Sequence, residues 1–143
     1  DYPSTHNYGN EKKSVYEEDI YVGYRFFETF RPEKVQFEFG FGLSYTQFRI
    51  EPDEAKLTVS EGEQYVEIGV TVQNIGTDFA GKELVQVYCE APQGKLGRPA
   101  KALAAFVKTT ELQTGESQHL TVSIPVRSLA SYDDAGVTGH PYA

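Results

Sequence analysis

A chain of 143 residues, 39% hydrophobic and 24% charged, has the composition of one ordinary globular domain, alone or with an attached piece; this excludes a disordered or membrane-embedded chain. With 13 Lys+Arg against 21 Asp+Glu the net charge is −8, which repels phosphate and argues against nucleic acid and anionic membrane as partners. The lone cysteine, Cys89, excludes an intramolecular disulfide and any thiolate-rich metal cluster.

Apolar runs last only a few residues, so no segment is expected to span a bilayer. No basic leader followed by an apolar stretch stands at the front. Methionine is absent and the chain opens on "DYPSTHNYGN", which is expected of a piece of a longer polypeptide.

Residues 1–14 are polar and turn-rich (Pro3, Ser4, Asn7, Gly9, Asn10, then Glu11, Lys12, Lys13) and read as loop. In "VYEEDIYVGYRFFETFR", Ile20, Gly23, Tyr24 and Phe27 sit at helical spacing, while Tyr21, Val22 and Tyr24 favour strand. A short helix and an extended segment both fit, and Pro32 ends either. In "FEFGFGLSYTQF", Phe37, Phe39, Phe41, Leu43 and Tyr45 alternate with Glu38, Gly40, Gly42 and Ser44. That pattern predicts rings on one face and close backbone approach on the other, where Gly40 and Gly42 carry no Cβ. The apolar phase then moves to Phe48 and Ile50, which predicts a bulge or a change of sheet near Tyr45 to Gln47.

Further on, period-two alternation dominates. "YVEIGVTVQN" sets Val66, Ile68, Val70 and Val72 against Glu67, Gly69, Thr71 and Gln73, a half-buried strand. "NIGTDFAGK" supplies a turn through Asn74, Gly76 and Gly81. "ELVQVYC" is apolar on both faces, with Val85, Val87 and Cys89 opposite Leu84 and Tyr88, which suits a central strand. After the loop "APQGKLGRP", "KALAAFVKTTEL" reads as a strand through Val107, Thr109 and Thr110, with helix as its alternative through Ala and Leu. "QTGES" is a turn, "QHLTVSIPV" a strand with Leu120, Val122 and Ile124 inward, and "RSLASYDDAG" a closing loop. Five or six short strands with Gly/Pro turns indicate an all-β antiparallel sandwich. A seven-stranded sandwich needs one more strand, and an edge left bare is a liability, so a closing strand is expected beyond this stretch.

No reactive constellation emerges. Glu17, Glu18 and Asp19, or Asp133 with Asp134, are adjacent carboxylates that an extended backbone points apart, whereas a catalytic carboxyl pair must converge on one reacting bond. Asp133 is better placed to accept backbone hydrogen bonds in its turn. His6, His119 and His140 lack metal-ligand spacing. Ser44 in "GLSYT" lacks the second glycine of a nucleophile elbow, and "FGFG" lacks the Lys of a phosphate loop. Cys89 reads as a half-buried structural thiol at a strand end. Tyr2, Tyr8, Tyr16, Tyr21 and Tyr24 cluster near the front, where they suit domain-to-domain packing or the edge of a substrate cleft. Arg25 and Arg98 suit bridging to a carboxylate across an interface.

The blocks "VYEEDIYVGYRFFET", "VQFEFGFGLSYTQF", "VTVQNIGTDFAGKELVQVY", "RPAKALAAFVKTTELQTGESQHLTVSI" and "LASYDDAG" resemble, in order, the C-terminal part of glycoside hydrolase family 3 enzymes, mainly β-glucosidases. The resemblance covers nearly the whole chain. It implies a fibronectin type III-like (immunoglobulin-like) β-sandwich over 41–143, lacking its last strand, preceded in 1–40 by the tail and linker of an α/β sandwich domain. "FGFGLSYT" would be the joint. It also implies partners in the parent: a catalytic barrel and the α/β sandwich, which hold the catalytic nucleophile and acid/base and act on a terminal β-linked glucose with retention. Neither catalytic motif occurs here, so no catalytic, substrate-binding or metal residue and no cofactor is assigned to this stretch, and a β-glucoside would be met only through the parent. The expected local role is to brace the catalytic domains and to support homodimer contacts. The alternative is a stand-alone carbohydrate-binding or protein-interaction module.

Overall fold

The computed structural model describes residues 2–10, 12–13, 15–42 and 44–142. Leu43 and Glu11 lie outside them. Six strands form two antiparallel sheets: β1 (Phe48–Pro52), β2 (Lys56–Ser60), β3 (Glu63–Asn74), β4 (Leu84–Cys89), β5 (Ala102–Lys108) and β6 (Ser117–Pro125). Among the described residues one α-helix, α1 (Tyr24–Phe30), precedes them, with short 3-10 turns at Pro3–His6 and Pro32–Lys34.

β3 is the hub of the larger sheet. Its Val66–Val72 run is β-branched at every second position, and β-branched side chains pack well on a pleated surface. β1 and β2 lie end to end along one edge of β3, with Ile50 opposite Val72 and Leu57 opposite Val66. β6 takes the other edge, with Leu120 opposite Val70 and Ile124 opposite Val66. The β2–β3 hairpin closes through Glu61 and Gly62, both at positive φ (52° and 83°), with Ser60 paired to Glu63. Such a two-residue turn matches the right-handed twist of its strands. β2 has no counterpart in the sequence-based reading.

β4 and β5 form the second sheet, with a register shift between Val87 and Tyr88. The expected alternation places the core: Val70 and Val72 from β3 meet Val85 and Leu112, with Phe48, Val107 and Leu120 packed around them. Each such side chain contributes about 1.5–3 kcal/mol on burial. Val122 and Ile124 are buried as expected, and His119, Thr121 and Ser123 face water.

Two expectations need correction. β4 is not central: among the described residues it pairs with β5 alone, so its two-sided apolar character has another cause. Tyr88 explains half of it, because it packs under α1. The described residues of the alternating stretch, 37–42 and 44–45, are not a strand but coil, bends and a turn, with Gly40 at φ 88°. The phase shift before Phe48 therefore marks the point where coil becomes strand, not a bulge. The 15–31 ambiguity resolves into a seven-residue helix entered through Gly23 (φ 62°) and stopped ahead of Pro32.

The smaller sheet leaves part of the larger one uncovered. Ile50, Leu57 and Val59 share the core-facing side with Val72, Val66 and Gln64, since directly paired residues point the same way. They nevertheless stay exposed.

Candidate functional site

No described group of three or more His, Cys, Asp or Glu side chains is placed to hold a metal ion, and no helix is long and apolar enough to cross a membrane. His6 pairs with Glu17 at 3.2 Å, His119 meets Thr71 at 3.2 Å and Asp53 at 3.8 Å, and the His140 backbone N–H donates to Thr138. Glu18 is held below the usual carboxylate range by the Ser4 hydroxyl. Cys89 is a half-buried free thiol at the end of β4, and Ser44 accepts from the Thr46 amide in a local turn.

The surface that stands out is built on the front of the second sheet. α1 is fastened to β5 and the loop before it by polar bonds. The Leu103 amide donates to the Tyr24 hydroxyl (2.7 Å), the Ala100 amide donates to Thr29 Oγ1 (2.9 Å), and Lys101 Nζ meets Glu28 Oε1 at 3.1 Å. Tyr24 and Tyr88 meet edge to face at 5.8 Å, with the Lys101 ammonium 5.5 Å from the Tyr88 ring. The hydrogen bond to Glu28 raises the Lys101 pKa against the opposing effect of burial, while burial is the main cause raising that of Tyr88. The helix's apolar side is filled from within the N-terminal segment: Tyr2 packs on Phe26 and Phe27, and Tyr21 on Phe30. So Tyr2, Tyr21 and Tyr24 are internal packing residues. Tyr8 and Tyr16, 92% and 91% exposed, touch nothing comparable.

The next turn carries the aromatic row. Phe37, Phe39 and Phe41 are 68%, 76% and 74% exposed, and the Phe37 and Phe41 rings lie 5.0 Å apart. The turn is held at its backbone: the Phe41 amide donates to the Glu38 carbonyl (3.0 Å), and Gln86 Nε2 of β4 donates to the Phe39 carbonyl (3.4 Å). A Cβ on Gly40 would stand 3.3 Å from that Gln86 side chain. The neighbour of Gly40 is thus a side-chain amide rather than the backbone expected from sequence, and its positive φ is the stronger requirement for glycine. Tyr45 extends the ring-lined surface toward Phe79, 5.8 Å away. Three phenylalanine rings bound through their own backbone and turned to solvent form an apolar patch that suits contact with another protein surface.

Two polar anchors behind this surface went unread or half-read in the sequence. Asn74, with no exposed surface, uses its whole amide. Nδ2 donates to the Phe79 and Leu112 carbonyls (2.9 and 3.0 Å), and Oδ1 accepts from the Thr46 hydroxyl and the Gly76 amide (2.6 and 3.0 Å). It pins the joint at Thr46 to the end of β3. Only the turn character of Asn74 was legible. Asp133 behaves as expected from its turn, accepting from the Thr138 amide and hydroxyl (both 2.6 Å) and the Val137 amide (3.1 Å). The Thr138 bonds hold its carboxyl below the usual range.

Comparison with known proteins agrees with this architecture. Residues 83–138 match the fibronectin type III-like domain family. The whole chain is 50% identical to a β-glucosidase of Ruminococcus albus, of which it spans 14%. Among solved structures, 99% of the chain superposes on a β-glucosidase from Paenibacillus barengoltzii at 57% identity and a TM-score of 0.91, covering 16% of that protein. A GH3 β-glucosidase of Bifidobacterium adolescentis matches 92% of the chain at 33% identity and a TM-score of 0.76, with 19% of its own length covered. The chain therefore spans less than a fifth of each of these proteins. By sequence and by fold the chain matches the C-terminal, fibronectin type III-like region of glycoside hydrolase family 3 β-glucosidases.

Proposed function

We propose that residues 1–143 brace a larger family 3 enzyme whose reaction is retaining hydrolysis of a terminal β-linked glucose. The reacting carboxyls lie on polypeptide outside this stretch. The single observation behind the bracing role is the row Phe37, Phe39 and Phe41, held to β4 through backbone and presented to solvent. A sugar-binding platform would instead need a coplanar row of exposed rings across a sheet face, and these rings sit on a turn with two of them packed together at 5.0 Å.

In this reading residues 1–40 are the tail of an α/β sandwich domain, and α1 is the strap by which that domain grips β5. Residues 41–143 are the fibronectin-like domain. The one-sided pairing of β4 and the bare Ile50, Leu57 and Val59 support the reading that a further strand completes this domain. The partners are the catalytic barrel and the α/β sandwich.

The test is to exchange the matching segment of the R. albus β-glucosidase for residues 1–143. The exchange enzyme is expected to hydrolyse an aryl β-glucoside, and the 143-residue chain alone is expected not to. Enzyme-like turnover by the chain alone refutes the proposal. Retention of the chain on insoluble polysaccharide would favour a carbohydrate-binding module instead.

A further inference from the structure

A cavity of about 760 Å³ lies between the turn ahead of α1, the β4–β5 loop, the start of β5 and residues 128–134. Arg25 and Arg98 both line it. Ion pairs among the described residues use His6, Lys101, His119 and Arg127, but neither of these two arginines. Arg25 lies 6.0 Å from the centre of the Tyr24 ring. Arg98 Nη1 donates to the Pro92 carbonyl at 3.4 Å, and its Nε is shut away from water with no acceptor. A guanidinium cannot shed its proton, so a buried N–H of this kind costs free energy until an acceptor arrives. Asp19 and Asp134 line the same cavity but stand beyond ion-pair distance of both arginines. Ala102, Ala104 and Leu129 make the lining partly apolar.

We propose that this cavity seats a carboxylate side chain carried by polypeptide outside residues 1–143, clasped by Arg98 with Arg25 as the second cation. The partner's chemistry follows from charge complementarity: two unpaired guanidinium groups gather in one cavity of a chain whose net charge is −8. Its source follows from the relatives, more than four-fifths of whose length lies outside the match. Arginine supplies the planar fork that grips a carboxylate through two donors. The polypeptide source rests on the bracing role proposed above; the carboxylate chemistry does not.

Two measurements test it. In the 143-residue chain, sodium acetate should shift the Arg98 Nε–Hε NMR signal saturably, where sodium chloride at equal ionic strength does not. Arg25→Gln should weaken that response about tenfold, as expected for loss of one charge-assisted contact. In the exchange enzyme, Arg98→Gln should shorten the half-life of heat inactivation about tenfold, the scale of a lost interdomain ion pair. The same substitution should leave the melting midpoint of the 143-residue chain unchanged, and Arg98→Lys should restore only part of the half-life.

Absence of an acetate-specific shift together with an unaltered exchange enzyme overturns the proposal. An acetate shift with an unaltered exchange enzyme overturns the polypeptide source in favour of a free carboxylate. Equal damage to both proteins, reproduced by Asp19→Asn or Asp134→Asn, overturns it in favour of pairing within the chain. An exchange enzyme inactive before any Arg98 change counts against bracing instead, and the acetate titration then decides the seat by itself.

Discussion

Replacing Asn74 by Ala probes the joint most directly. The side chain makes four hydrogen bonds with no exposed surface of its own. The Leu112 carbonyl keeps a partner after the change, because the Gly81 amide also donates to it at 3.1 Å. The Phe79 carbonyl, the Gly76 amide and the Thr46 hydroxyl lose theirs. Each stranded buried group costs about 1–3 kcal/mol, and these bonds lie partly toward the surface, so the low end applies and the sum is about 3 kcal/mol. Against a domain stability of about 5–15 kcal/mol, this loss is large. Urea unfolding followed by tyrosine emission measures it, since the chain has 10 Tyr and no Trp. Asn74→Asp should cost at least as much, because a carboxylate cannot donate to the two carbonyls. Thr46→Val in the Asn74→Ala background should cost less than in the wild-type chain, as their bond is already gone. A loss below about 1 kcal/mol for Asn74→Ala would refute the reasoning, because it would mean that water replaces the amide freely.

Glycines near this anchor should be sharply unequal. A Cβ at Gly76 would collide with Thr46 Oγ1 and crowd Asn74, so Gly76→Ala should cost about 1–3 kcal/mol in the same unfolding assay. Gly94, with open space around it, should accept Ala within about 0.5 kcal/mol. Asp133 should make the 133–138 loop acid-sensitive. Hydrogen bonds from Thr138 lower its folded pKa beneath the unfolded value, so its stabilisation is complete above the ordinary carboxylate range and fades as pH falls through the lowered value. Protection of the Val137 and Thr138 amides from exchange, taken relative to the intrinsic rate at each pH, should therefore fall on acidification, and Asp133→Ala should remove that dependence. Finally, Phe39→Ser should leave the melting midpoint of the 143-residue chain unchanged, because the ring is 76% exposed, yet reduce the activity of the exchange enzyme. Equal activity would argue that the aromatic row braces nothing.

Period-two alternation alone determined β3 and β6 of the larger sheet, though not β2. Over 66–72 of β3 and 120–124 of β6 every second residue is apolar, and only one pleat face can be buried, so Val70, Val72, Val122 and Ile124 had a single consistent placement. The Asp133 turn was equally legible, because a short acceptor side chain ahead of a Gly-containing loop has local partners. What tertiary structure decided was long-range. α1 is too short to form from its own propensity, and it exists where Tyr24 and Thr29 meet backbone amides 79 and 71 residues away. The row at Phe37, Phe39 and Phe41 has strand-like alternation but no partner strand, so Gly40 turns it instead. Asn74 as a four-bond anchor, and Arg25 meeting Arg98 in one cavity, depend on which loops come together in space, and no spacing along a chain encodes that.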